Sequence, residues 1–140
     1  MVMADGVLMS IRPQFAEAIL DGRKTVELRR RRPSFAEGTT VLIYSSAPDR
    51  HVLGSFVAGA ILAAAPSELW GRVNERTGIS RDVFDEYFAG CDYAYAIEIL
   101  NPKRINATRL RIRPPQSYLF LRRGDRRHRT LLQLATASAT

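Results

Sequence analysis

Strand-length apolar segments, set apart by glycine and proline, dominate this chain and limit what it can fold into. Residues 7–11, 25–29, 39–45, 52–64, 93–100, 104–112 and 118–121 are rich in β-branched, aliphatic and aromatic residues or alternate with a period of two, and each reads as a strand. Gly54 and Gly59 leave room for bulges or sharp curvature within the longest of them, and Asn101-Pro102 predicts a turn between two others. Helical spacing is confined to three stretches. Pro13 suits a first helical turn, where its missing N–H costs nothing, and Phe15, Ala18 and Ile19 follow on one face until Asp21-Gly22 ends the helix. Pro66-Ser67 opens a second helix with Leu69, Trp70 and Val73 on one face. Ser80 is a good N-cap for a third, in which Val83, Phe84, Tyr87 and Phe88 are apolar and Gly90 closes the run. At helical spacing these aromatics predict core packing rather than base stacking. The pattern predicts an α+β fold: a mixed, curved sheet or small β-barrel with two or three peripheral helices.

With 140 residues, 46% of them hydrophobic and 25% charged, the chain suits one globular domain able to bury a core. A single cysteine, Cys91, excludes an internal disulfide framework and a Cys-rich zinc site, and two histidines, His51 and His128, argue against a multi-His site. No metal or cofactor is predicted. Met1-Val-Met-Ala-Asp-Gly lacks the basic-then-apolar pattern of a secretion signal, and the longest apolar run, near 56–66, is too short to span a membrane. These features predict a soluble, cytoplasmic protein without membrane attachment. Residues 1–121 read as one domain and 122–140 as a basic, flexible C-terminal tail.

The formal charge is +7, from 21 basic and 14 acidic residues, and a positive excess points to a polyanionic partner. Its distribution says more than its sum. Residues 122–129 hold five arginines and one aspartate, a block of +4. Residues 23–32 hold six basic groups and Glu27, a block of +5, which leaves about −2 for the rest of the chain.

The second block is the most informative stretch. On a strand, Thr25, Glu27, Arg29 and Arg31 share one face while Val26 and Leu28 turn to the core. Lys24 stands at the strand's mouth, so a lysine, a glutamate and an arginine meet on a short polar ledge. Arginine grips phosphate or carboxylate in bidentate fashion. Glu27 can order the cations or accept an N–H from a nucleobase, and a desolvated Lys24 can act as base or nucleophile. A solvated basic strand edge that discourages aggregation accounts for the same residues equally well.

Residues 10–30, which contain Gly22-x-Lys24-x-x-Glu27-x-Arg29, resemble the ASCH domain signature. The resemblance continues through Val41–Pro48, Gly54–Phe56, Glu86–Gly90, Tyr95–Glu98 and Pro114–Ser117, covering about residues 7–121. It implies a PUA-like curved β-barrel of about five or six strands, with a cleft facing RNA or a modified nucleotide. Short prokaryotic relatives of this kind are described as predicted transcriptional regulators. Carried over by position, Lys24, Glu27 and Arg29 line that cleft, with Ser45, Ser46 and Gln116 as companions, and Arg30 is expected beside Arg29 on the ligand's phosphate. Tyr44 points the other way if its strand is regular. Some relatives hydrolyse the amide of N4-acetylcytidine with a lysine, a threonine three positions later and a glutamate from the helical region. Here Glu27 occupies the threonine position and Glu75 is the nearest candidate for the glutamate. Other relatives are ribonucleases.

The resulting expectation is a nucleic-acid-binding module for RNA or a nucleotide, with DNA as a further candidate and a regulatory role in view. The alternative is an enzyme on RNA or modified nucleosides that uses Lys24 and Glu27. A third reading lets the helical segment 66–90 dock a protein partner.

Overall fold

A computed structural model describes residues 5–139, with side chains described to residue 136. Residues 1–4, which belong to the stretch read for a leader, and Thr140 lie outside the described residues. Along the chain run β1 (Gly6–Ile11), α1 (Pro13–Leu20), β2 (Val26–Arg29), β3 (Thr40–Ser45), β4 (His51–Ala64), α2 (Pro66–Val73), α3 (Arg81–Tyr87), β5 (Ala94–Arg109), β6 (Tyr118–Leu121) and α4 (Arg129–Ala139). Short 3-10 turns cover Asn74–Arg76 and Arg126–His128. No helix among the described residues is long and apolar enough to cross a membrane.

The six strands form one mixed sheet in the order β2-β5-β4-β3-β1-β6. β1 and β3 pair in parallel, and every other neighbouring pair is antiparallel. The α+β class stands, but the sheet does not close into the expected barrel. β2 and β6 are its edges, each only four residues long. The seam between them is crossed by a side chain instead: Arg29, at the end of β2, donates to the Ser10 carbonyl on β1 and to Ser117 Oγ just before β6.

The sheet is curved by its long central hairpin. β4 and β5 change register at three places. The expected turn at Asn101-Pro102 is one of them, inside a continuous β5. Val57 pairs with Leu100 and Ser55 with Lys103, so two residues of β5 oppose Phe56 alone. Asn101 takes φ 50, a left-handed conformation that asparagine tolerates. At Gly54 a Cβ would overlap the Lys103 carbonyl, so close approach of the two strands requires glycine there.

β1 and β3 are apolar on both faces. Val7, Met9, Ile11, Val41 and Ile43 join Ile19 and Phe56 in one core. Leu8, Leu42 and Tyr44 point the opposite way and pack with Val52, Leu121, Leu131 and Ala135. Within residues 122–140, expected as a flexible tail, Leu131 and Ala135 of α4 therefore supply the cover for the second face. Asp125 caps the 3-10 turn by accepting from Arg127 N–H, and the buried His128 accepts from the Arg122 amide through Nδ1. Arginine density signals solvation, but Leu131 and Ala135, four residues apart, put one apolar face on the sheet. A third core joins α2 and α3 to Val26, Leu28, Ala94 and Ala96 through Leu69, Val73, Phe84 and Phe88.

Candidate functional site

A cavity of about 530 Å³ opens where the end of β1 and the start of α1 approach β2 and α3. Its construction begins at the C-terminus of α1. Gly22 takes φ 82 and breaks the helix, while the amides of Arg23 and Lys24 both donate to the Ala18 carbonyl. That cap turns the chain back and lays Lys24 beneath the helix. Its amine, 3% exposed, donates to the Thr77 carbonyl at 2.9 Å and lies 5.3 Å from the centre of the Phe15 ring.

β2 then alternates as its spacing predicts. Val26 and Leu28 enter the core, while Glu27 and Arg29 turn to the cavity. Glu27, 6% exposed, stands 3.8 Å from the Lys24 amine and accepts from Arg29 Nη2 at 2.8 Å. Burial pushes the Lys24 pKa below the ordinary lysine value, with Glu27 pulling it back up and Arg29 pushing it further down. Arg29 Nε is buried without a hydrogen-bond partner among the described residues. The floor of the cavity is thus a cation–anion–cation row carrying one net positive charge.

The walls differ in character. Ile79, Val83, Tyr87 and Phe15 form an apolar side, and Arg12, Arg30 and Glu86 add charge. Tyr87 is 40% exposed and donates from its hydroxyl to the Leu28 carbonyl. Burial of that hydroxyl raises its pKa above the ordinary tyrosine value. Phe84 and Phe88 are core residues as their spacing predicts, but Tyr87 belongs to the cavity.

The structure brings Lys24, Glu27, Arg29 and Arg30 together in this cavity. Ser46 and Gln116 line a neighbouring one of about 660 Å³, which shares Ser10 and Arg12 with the first and includes the Tyr44 side chain. Ser45 is fully buried, donates to Asp49 at 2.7 Å and lines neither cavity. Glu75 is exposed on the 3-10 turn and also lines neither. Among the described residues no group of three or more His, Cys, Asp or Glu side chains is placed to hold a metal. Arg12, Glu86 and Tyr87 were not legible as site residues. Glu86 and Tyr87 sit on a helix that reaches the cavity only by packing against β2, and Arg12 is an ordinary charge just before Pro13.

The ASCH domain profile matches residues 9–106, the stretch that contains α1, β2 and most of the cavity wall. The chain belongs to the ASCH domain family. An ASCH domain-containing ribonuclease from Zymomonas mobilis is 33% identical to it over 126 residues, covering 84% of this chain and 85% of that protein. The crystal structure of an ASCH protein from the same organism superposes with a TM-score of 0.84 at 30% identity, covering 93% of this chain and 95% of that one. A more distant likeness, to the N-terminal domain of McrB from Staphylothermus marinus, has a TM-score of 0.57 at 12% identity over 89% of this chain and 92% of that one, and concerns the fold alone. Within the ASCH domain, Gly22 and Arg29 also have structural work. Gly22 sets the cap that buries Lys24, and Arg29 bridges the open seam.

Proposed function

We propose that this ASCH domain recognises RNA, with a nucleotide seated in the cavity between β2 and α3. The buried Lys24–Glu27–Arg29 row beneath an open, half-apolar cavity carries the reading. A solvated strand edge would leave such charges in water. Here they are desolvated and held in one geometry, an arrangement that costs free energy and is typical of sites that act on a ligand. Arg12 and Arg30 offer donors to phosphate, and the Tyr87 and Val83 side offers a surface for the flat face of a base. Glu27 and Glu86 are acceptors for an exocyclic amino group. The orphaned Arg29 Nε–H gains from an acceptor brought by the ligand. Similarity to a ribonuclease supports RNA as the polymer.

The test is binding of fluorescent single-stranded RNA at several salt concentrations. Affinity falls as salt rises, and Arg30→Gln flattens the slope by about 0.7 if it removes one phosphate contact. Undetectable binding at low ionic strength overturns the reading.

The same similarity favours a second reading, cleavage of the bound RNA. In it the 2′-hydroxyl gives its proton to water as its oxygen attacks phosphorus, and the P–O5′ bond breaks to leave a 2′,3′-cyclic phosphate. The leaving 5′-oxygen takes a proton from water, and the Lys24 charge stabilises the phosphorane. Cleavage products from wild type but not from Lys24→Ala, with both proteins folded, would establish it. Amide hydrolysis of an acylated cytidine fits less well. The position three residues after Lys24 holds a carboxylate engaged by Arg29 in place of a hydroxyl, and Glu75 faces neither cavity. A regulatory role and DNA binding have no specific support in the cavity's chemistry.

A further inference from the structure

The neighbouring cavity differs from the first in one respect: its charged lining is entirely cationic. Arg12, Arg50 and Arg109 border it, together with Tyr44, Ser46 and Gln116, and no acidic side chain does. Sheet register explains the convergence. His51 at the start of β4 pairs with Arg109 at the end of β5, which brings Arg50 and Arg109 to the same corner. Arg12 arrives from the junction of β1 and α1.

These three guanidinium groups make no hydrogen bond or ion pair among the described residues. Several other arginines are matched with carboxylate, among them Arg29 with Glu27, Arg76 with Glu98, Arg104 with Glu17 and Asp21, and Arg127 with Asp125. Arg111, Arg113 and Arg126 share the unpaired state, so it is the convergence of three on one hollow that sets this corner apart. Three exposed like charges around one hollow repel one another and give the isolated protein nothing in return. Arg50 also holds φ 56, in the left-handed region where glycine or asparagine is the easier residue. The turn carries an arginine despite that cost.

Planar, five-donor guanidinium groups suit phosphate oxygens. Ile112 and Pro115 add an apolar patch beside them. Ser10 and Arg12 line both cavities, so the two hollows are adjacent stations rather than separate sites.

We propose that the second cavity is a phosphate-binding subsite, and that the two cavities together hold consecutive nucleotides of one RNA strand with a phosphodiester lying across Ser10 and Arg12. The inference rests on the RNA reading of the first cavity and narrows it: the ligand is an oligonucleotide, not a free nucleoside or mononucleotide.

The experiment compares adenosine monophosphate with a single-stranded oligoadenylate RNA of about six nucleotides, a length within the range a small groove accommodates. The RNA is expected to bind at least about tenfold more tightly. In the Arg50→Gln, Arg109→Gln double variant its affinity drops about tenfold, and its salt slope flattens by about 1.4, or 0.7 for each lost contact. Mononucleotide affinity stays at the wild-type value. The two arginines are exposed and unpaired, so the exchange spares the fold, and the melting temperature verifies this. Equal affinity for mononucleotide and RNA overturns the inference. RNA binding that depends on Arg30 but not on Arg50 and Arg109 overturns it too, while leaving the first cavity's reading intact. Failure of the wild-type protein to bind the RNA at all overturns both.

Discussion

The Arg29 guanidinium donates to the Glu27 carboxylate at 2.8 Å, and the same nitrogen reaches the Ser10 carbonyl at 3.2 Å. One side chain therefore orders the anion of the cavity floor and crosses the seam where the sheet fails to close. Site geometry and sheet geometry are coupled through this residue, and variants of the row are expected to disturb both.

Glu27 is the anion between the buried Lys24 and the half-buried Arg29. Glu27→Gln keeps its shape but leaves Lys24 and Arg29 facing each other without a counter-charge. Removing one partner of a buried pair typically costs about 3 kcal/mol or more. A drop of that size in urea-unfolding free energy is expected, and a change within about 0.5 kcal/mol would show that the carboxylate does not hold the row together.

Lys24 makes stability depend on pH. Its folded pKa lies below the ordinary 10.5, so between the two values the unfolded chain binds more protons than the folded one. Stability contributed by this group then rises with pH across that interval. Lys24→Met abolishes the rise. Urea titrations from neutral pH to about 10.5 should show wild type gaining on the variant as pH increases, and a constant difference would refute the burial of the amine.

Close approach of β4 and β5 leaves no room for a methyl group at Gly54. Gly54→Ala forces its Cβ against the Lys103 carbonyl, which is backbone and cannot swing aside. A loss of about 2 kcal/mol or more is expected, in the range of overpacking changes. Gly71→Ala is the matched control, since a Cβ there meets nothing within 4 Å.

The C-terminal helix is structural. Leu131 is buried against the sheet face that holds Leu8, Leu42 and Tyr44. Leu131→Ala should destabilise the domain by about 2 kcal/mol or more, and truncation after residue 128 should expose an apolar surface detectable by dye binding. A truncated protein as stable as the full chain would restore the view of this segment as a tail.

Asp125 anchors the start of the same segment. Its hydrogen bonds from Arg127 lower its pKa from 3.8 to about 2. The stability it contributes is present above the ordinary value and is lost as pH falls through about 2. Hydrogen exchange of the α4 amides should accelerate over that acid range in wild type. In Asp125→Asn the component due to this group should be absent.

Much of the arrangement was legible along the chain. The two-residue alternation separated Val26 and Leu28 from Glu27 and Arg29, and Pro13 with Gly22 marked both ends of α1, because these signals need only neighbours in sequence. The second apolar face of β1 and β3 was not drawn from the chain. Val-Leu-Met and Val-Leu-Ile have no polar side to give to water, but the arginines around residues 122–129 marked the following leucines as a tail rather than as the cover those strands need.

The ledge of Lys24, Glu27 and Arg29 follows from local spacing and the ASCH membership from resemblance to the family's signature, matched over residues 9–106, so the sequence alone determined both. Tertiary structure decided which distant groups meet the ledge. Tyr87 and Glu86 reach it because α3 packs on β2, and Thr77 because the Arg76 carbonyl, in the segment after α2, accepts from the Thr25 amide. Arg50 meets Arg109 because of a bulged register between β4 and β5. It also decided that the sheet stays open, since closure depends on how far bulges turn the strands and on whether two four-residue edges can meet. Those contacts are set by packing between segments far apart in the chain, and no short-range pattern encodes them.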